Sequence, residues 1–233
     1  MSERPIFNQG VGTPFLTEQH RLIETSTADA NVIVESGEHV LYLQMVDYYA
    51  AAKRLAQQVI DSGGQDNVLV YPIMFLYRHY TELVLKYIIF LNNRLEQNGG
   101  EFPHGHDLTK LWQACRPILL PLWTNREGEF DRQLDIAENM ISEFMRLDAR
   151  GTAMRYPFID EGTPFHTGQI KFSMEKVTEA MGALDLLLGT SVTLLRLKIE
   201  DEERSRKWTE DFFRAIDAQL MSDDEETQAT NPS

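Results

Sequence analysis

Hydrophobic and polar positions alternate along most of the chain with the period of an α-helix. From about Leu41 to Ile60, Tyr48, Ala51, Ala52, Leu55 and Val59 recur at spacings of three and four. Asp61-Ser62-Gly63-Gly64 then supplies a stop. The next helix is predicted over Val70–Leu95. It is apolar on most sides, through Ile73, Met74, Leu76, Leu83, Val84, Leu85, Ile88, Ile89 and Leu91. A helix of that kind is expected at the centre of a fold. After Gly99-Gly100, Asp107 is a plausible N-cap for a helix to about Trp123, with Pro117 and Pro121 disfavouring its second half. A further amphipathic helix is predicted near Glu127–Leu147, on the stripe Phe130, Leu134, Ala137, Ile141, Phe144. Residues 149–171 hold three glycines and two prolines, so no continuous helix crosses them. From Met174 the stripe Val177, Met181, Leu184, Leu188, Leu195 marks a last long helix.

Strand signal is weak everywhere, and a short strand at Asn31–Val34 is its best instance. The predicted architecture is all-α: an antiparallel bundle of four to five long helices. Residues 1–40 read as an irregular N-terminal arm, 41–221 as the bundle domain, and 222–233 as a disordered acidic C-terminal tail.

Composition and charge narrow the function classes. The chain has 233 residues, 42% hydrophobic and 25% charged, which suits a globular domain. Its net charge of −14 argues against a protein that coats nucleic acid through general basicity. Residues 200–233 carry 11 acidic and 4 basic side chains, and so hold half the excess. Within them Glu200–Arg204, Glu202–Arg206, Glu203–Lys207 and Glu210–Arg214 are acid-before-base pairs that support an exposed helix. The one cysteine, Cys115, cannot close an intramolecular disulfide, which fits a reducing, cytoplasmic compartment. It lies in an apolar helical stretch and reads as a small core residue. No run of 18 apolar residues is present, so no membrane span is expected. Phosphate-binding glycine loops, the dinucleotide fingerprint, HExxH and G-x-S-x-G are all missing.

Three places could carry chemistry. On the central helix Arg78, His79, Glu82 and Lys86 fall within an arc of roughly 100°, so they share one face. Arg offers a fork for phosphate and His moves a proton near neutral pH. A salt-bridge ladder at i,i+4 spacing is the structural alternative. His104-Gly105-His106-Asp107 is the second place. No further ligand cluster completes a metal site there, so capping by Asp107 and a hydrogen-bonded His106 are expected, with no metal and no cofactor. The third is Asp148-Ala-Arg150-Gly-Thr-Ala-Met-Arg155-Tyr156-Pro157. Tyr156 precedes proline and should be extended, which would let Arg155 point back towards Glu82.

The segments YRHYTELVLKYIIF, HGHDLTKLW and RLDARGTAMRYPFID, in that order before a long helix, resemble bacterial HEPN-like proteins over about residues 44–199. Arg78, Glu82 and Lys86 match that family's polar helix face, and His106-Asp107-Leu108 its loop-to-helix junction. The resemblance implies an all-helical bundle, often a homodimer. Many members act in toxin–antitoxin or phage-defence systems. Some are metal-independent ribonucleases, and others are non-catalytic binding modules. Catalytic members carry an Arg followed by four to six residues and a His. Here Arg78 and His79 adjoin, and ten residues separate Arg155 from His166.

The reading that follows is a binding or regulatory module. Its polar pocket would use Arg78, Glu82, Lys86, His106, Asp107, Arg155 and Tyr156 for RNA, a nucleotide or a partner protein. One alternative is a metal-independent ribonuclease, with His79 or His106 as base and Arg78 or Arg155 stabilising the phosphorane. Another is a dimerising structural scaffold.

Overall fold

The computed structural model describes residues 38–96, 102–123, 128–156 and 169–229, with side chains between 40 and 216. The candidate strand at Asn31–Val34, most of the N-terminal arm, and His20 and His166 lie outside the described residues. The described residues form an all-α bundle with no strand. Its helices are α1 (Glu38–Asp61), α2 (Val70–Leu95), α3 (Leu108–Leu119), α4 (Glu129–Leu147) and α5 (Met174–Ala229).

α2 is central, as its nearly all-round apolar surface requires. It packs against α1, α3 and α5, while α4 packs on α3. Ile73, Tyr77, Val84, Leu85 and Ile88 of α2 are wholly or almost wholly buried, and Ala52 and Ala56 of α1 let the two helices approach closely. Leu184, Leu188, Val192 and Leu195 seal the core from α5. α5 includes a window of residues long and apolar enough, by composition, to cross a membrane. In the bundle much of its apolar stripe is core. Tyr80 of α2 donates a 2.6 Å hydrogen bond to Asp185 of α5. Burial and the Asp185 carboxylate push the neighbouring Tyr49 phenol up to about 12.

The turns follow their residues. Gly63 and Gly64 adopt positive φ after α1. α3 ends at Leu119, two residues after Pro117, and a 3-10 turn carries the chain to Trp123, so the expected helix is split where the prolines sit. α5 continues to Ala229, past the Met221 limit expected for the bundle. No glycine or proline occurs between Leu220 and Ala229 to stop it.

A buried node on the central helix

Arg78, Glu82 and Lys86 stand one turn apart on α2, and all three are buried. Two loops close over them, residues 102–107 before α3 and 148–156 after α4. The Arg78 guanidinium joins all three segments. Nε donates to the Asp148 carbonyl at 2.9 Å, Nη2 to the His106 carbonyl at 2.9 Å, and Nη1 to Glu82 Oε2 at 3.3 Å. The planar, five-donor fork of Arg serves these three acceptors from three separate nitrogens in one fixed plane.

Gly151 explains how the second loop comes so close. Its φ is +72°, and a Cβ built on it would lie 2.6 Å from Arg78 Nη1 and 3.1 Å from Cζ. Glycine is needed there twice, for the backbone conformation and for room above the guanidinium.

Asp148 opens the third candidate segment, but the sequence reading gives it no role. It is 1% exposed. Its Oδ1 accepts from the amides of Thr152 (2.7 Å) and Ala153 (2.9 Å), and Oδ2 from Met154 at 3.4 Å. The carboxylate therefore shapes the 148–156 loop from inside, while Oδ2 stands 4.0 Å from Arg78 Nε. Its signal was local: an aspartate at a helix end, followed by a glycine three residues on, is a turn-forming pattern.

Glu82 is 3% exposed and fully engaged. Oε1 accepts from Lys86 Nζ at 2.9 Å and lies 2.7 Å from His106 Nδ1, while Oε2 takes Arg78. Burial alone would raise the carboxyl. The hydrogen bonds from Lys86 and His106 outweigh it and hold Glu82 below the ordinary carboxylate range. Lys86 also sits 5.6 Å from the Phe102 ring, tying loop 102–107 down a second time. Two buried cations and two buried anions thus face one another, which is how an apolar helix tolerates charge.

The remaining predicted site residues divide. His106 keeps its ring 69% exposed while Nδ1 engages Glu82. Asp107 caps α3, with Oδ1 accepting from Thr109 and Lys110 amides at 2.9 and 3.2 Å. His79 is set apart from the node. Its ring stacks on Phe75 (5.8 Å) and meets Tyr48 edge-on (4.5 Å), and burial lowers its basicity. Arg155 turns away from the expected Glu82: its Nε donates to the Gly151 carbonyl at 3.1 Å. Its guanidinium lies 5.5 Å from both the Phe75 and Tyr156 rings. Arg78 already fills the space the sequence reading had offered to Arg155. Arg155 and Tyr156 are exposed.

Cys115 is fully buried, with Sγ 3.1 Å from the Leu85 carbonyl, and burial pushes its thiol up. Among the described residues no group of three or more His, Cys, Asp or Glu is arranged to hold a metal ion. A cleft of about 380 Å³ between α2 and α5 is lined by Tyr87, Leu91, Arg94, Arg196, Ile199, Glu200 and Glu203, none of them a node residue. Fold and site define an all-α bundle built on one internally paired polar node. Comparison with protein-family models, curated proteins and solved structures finds no match.

Proposed function

We propose that this protein is a HEPN-like helical binding module whose ligand surface is the pair of loops 102–107 and 148–156, and whose ligand is RNA or a nucleotide. The observation that carries the reading is the threefold engagement of Arg78, which ties both loops to α2. The buried charges satisfy one another, so their work is to position the loops. The groups left for a ligand are the exposed ones: His104, His106, Arg150, Arg155 and Tyr156. Two arginine forks suit phosphate oxygens, and an exposed Tyr ring offers a face for an unpaired base.

The test is fluorescence anisotropy with a 5′-phosphorylated single-stranded RNA oligonucleotide. Arg150→Ala with Arg155→Ala should weaken binding at least tenfold, flatten its salt dependence and leave the melting temperature within a degree or two. Equal affinity in the double variant would overturn the reading.

The 2.7 Å Glu82–His106 contact favours one second reading, a metal-independent ribonuclease. A carboxylate on Nδ1 fixes the tautomer that leaves Nε2 as proton acceptor, and the exposed ring presents it to solvent. His106 would take the 2′-hydroxyl proton, and the 5′-oxygen would leave with a proton from water. Cleavage of RNA in EDTA, lost in His106→Ala and reduced in Glu82→Gln, is the expected signature. Intact RNA after prolonged incubation with folded wild type would dismiss it.

A further inference from the structure

α5 extends away from its own core. Every described side chain from Glu200 to Ile216 is exposed. The stretch is nevertheless not polar all round. Trp208 is 68% exposed, Phe212, Phe213 and Ile216 are also exposed, and the Trp208 and Phe212 rings stack at 5.3 Å. At 100° per residue Trp208, Phe212 and Ile216 share one face. That face runs back along α5 through Leu197, 55% exposed, to Leu186, 72% exposed. The face from 186 to 216 spans roughly 45 Å at 1.5 Å per residue. Asp201 and Arg204 interrupt it between Leu197 and Trp208. Its apolar positions are therefore an exposed patch at Trp208, Phe212 and Ile216, with Leu197 and Leu186 further back. An exposed patch of that kind on a solvated helix marks an interaction surface.

The charges on the same helix select the occupant. Glu200, Asp201, Glu202 and Glu203 are followed at once by Arg204, Arg206 and Lys207. A second copy laid parallel and in register would set acid on acid and base on base. A second copy laid antiparallel reverses this. With the two-fold axis between residues 202 and 203, Asp201 of each chain lies beside Arg204 of the other. The same register sets Leu197 against the partner's Trp208. It also sets the small, exposed Thr193 against the partner's Phe212. Glu203 is turned to Arg94 of its own α2, at 2.8 Å, and stays out of the contact. Both copies use the same patch, as a closed two-fold interface requires.

We propose that α5 is the dimerisation element of this protein, pairing antiparallel with α5 of a second copy across the 186–216 face. The proposal is independent of the ligand at the loops.

Sedimentation velocity on the full chain across a micromolar range, with single-cysteine cross-linking, tests it. The buried Cys115 is not expected to react with a cross-linker in the folded chain. Wild type should sediment as a dimer. Trp208→Glu with Phe212→Glu should raise the dissociation constant at least tenfold with unchanged helical circular dichroism. Asp201→Arg should weaken the dimer, and adding Arg204→Asp should restore it. Ser205→Cys, near the axis, should cross-link through a bis-maleimide, and Ile216→Cys, far from it, should not. A monomeric wild type, or a dimer indifferent to the Trp208/Phe212 change, would overturn the proposal. Efficient Ile216→Cys cross-linking would show a parallel pair and overturn it as well.

Discussion

Arg78 and Gly151 form one unit although 73 positions separate them in sequence, because the guanidinium needs the space a Cβ would fill. Gly151→Ala should therefore cost about 1–2 kcal/mol in backbone strain and about 1–3 kcal/mol more in displacing the guanidinium. Thermal or urea unfolding checks this, and a loss below half a kilocalorie would count against the close approach. Arg78→Ala should be worse, at about 3–5 kcal/mol, since it strands buried partners. The acid limb of stability follows from two groups. Glu82 titrates lower in the folded chain than in the unfolded one, so its contribution is complete above the usual carboxylate value of 4.5 and is lost as pH falls through the folded value. His79 also has a depressed folded value, so the stability tied to its neutral form is present above 6.5 and declines as pH falls below that. Melting temperature should thus fall in two stages on acidification. His79→Phe should remove the upper stage, and an unchanged profile in that variant would refute the assignment.

Element boundaries were legible where period and punctuation agreed. They were missed at the ends of α3, which stops at Leu119 short of Trp123, and α5, which runs past Met221. α2 runs from Val70 to Leu95 as its apolar pattern requires, and Asp107 caps α3 as its position suggested. The shared polar face of Arg78, Glu82 and Lys86 was legible too, since one helix fixes their relative angles. What crosses between elements was not. The Arg78–Asp148 contact spans 70 residues, and nothing local announces it. An extended Tyr156 would let Arg155 point towards Glu82, yet Arg78, Lys86 and His106 already occupy that carboxylate and a third cation has no acceptor left to take. His79 shares the helical arc of the node but sits at its edge, where Phe75 and Tyr48 enclose it. At this scale the loops are the elements to test. The amides of Thr152 and Ala153, donated to the buried Asp148 carboxylate, should exchange slowly with solvent. In Asp148→Ala their protection should drop by at least tenfold while α1 protection changes less. Equal loss across the molecule would mean that Asp148 supports the whole bundle and not the loop.

The whole molecule separates two kinds of charge. A balanced, buried set holds loops 102–107 and 148–156 to α2, and an exposed set rides on those loops. The chain's net charge of −14 makes the exposed arginines a local exception, so any anion they attract is held at that surface and not by the protein's general field. The most direct measurement is affinity for the 5′-phosphorylated RNA beside melting temperature, in Arg78→Met and in the Arg150→Ala, Arg155→Ala pair. The account predicts opposite signatures: the surface pair loses affinity at least tenfold and keeps its melting temperature, whereas Arg78→Met loses melting temperature by several degrees. RNA affinity unchanged in the surface pair, or a melting temperature unchanged in Arg78→Met, would contradict it.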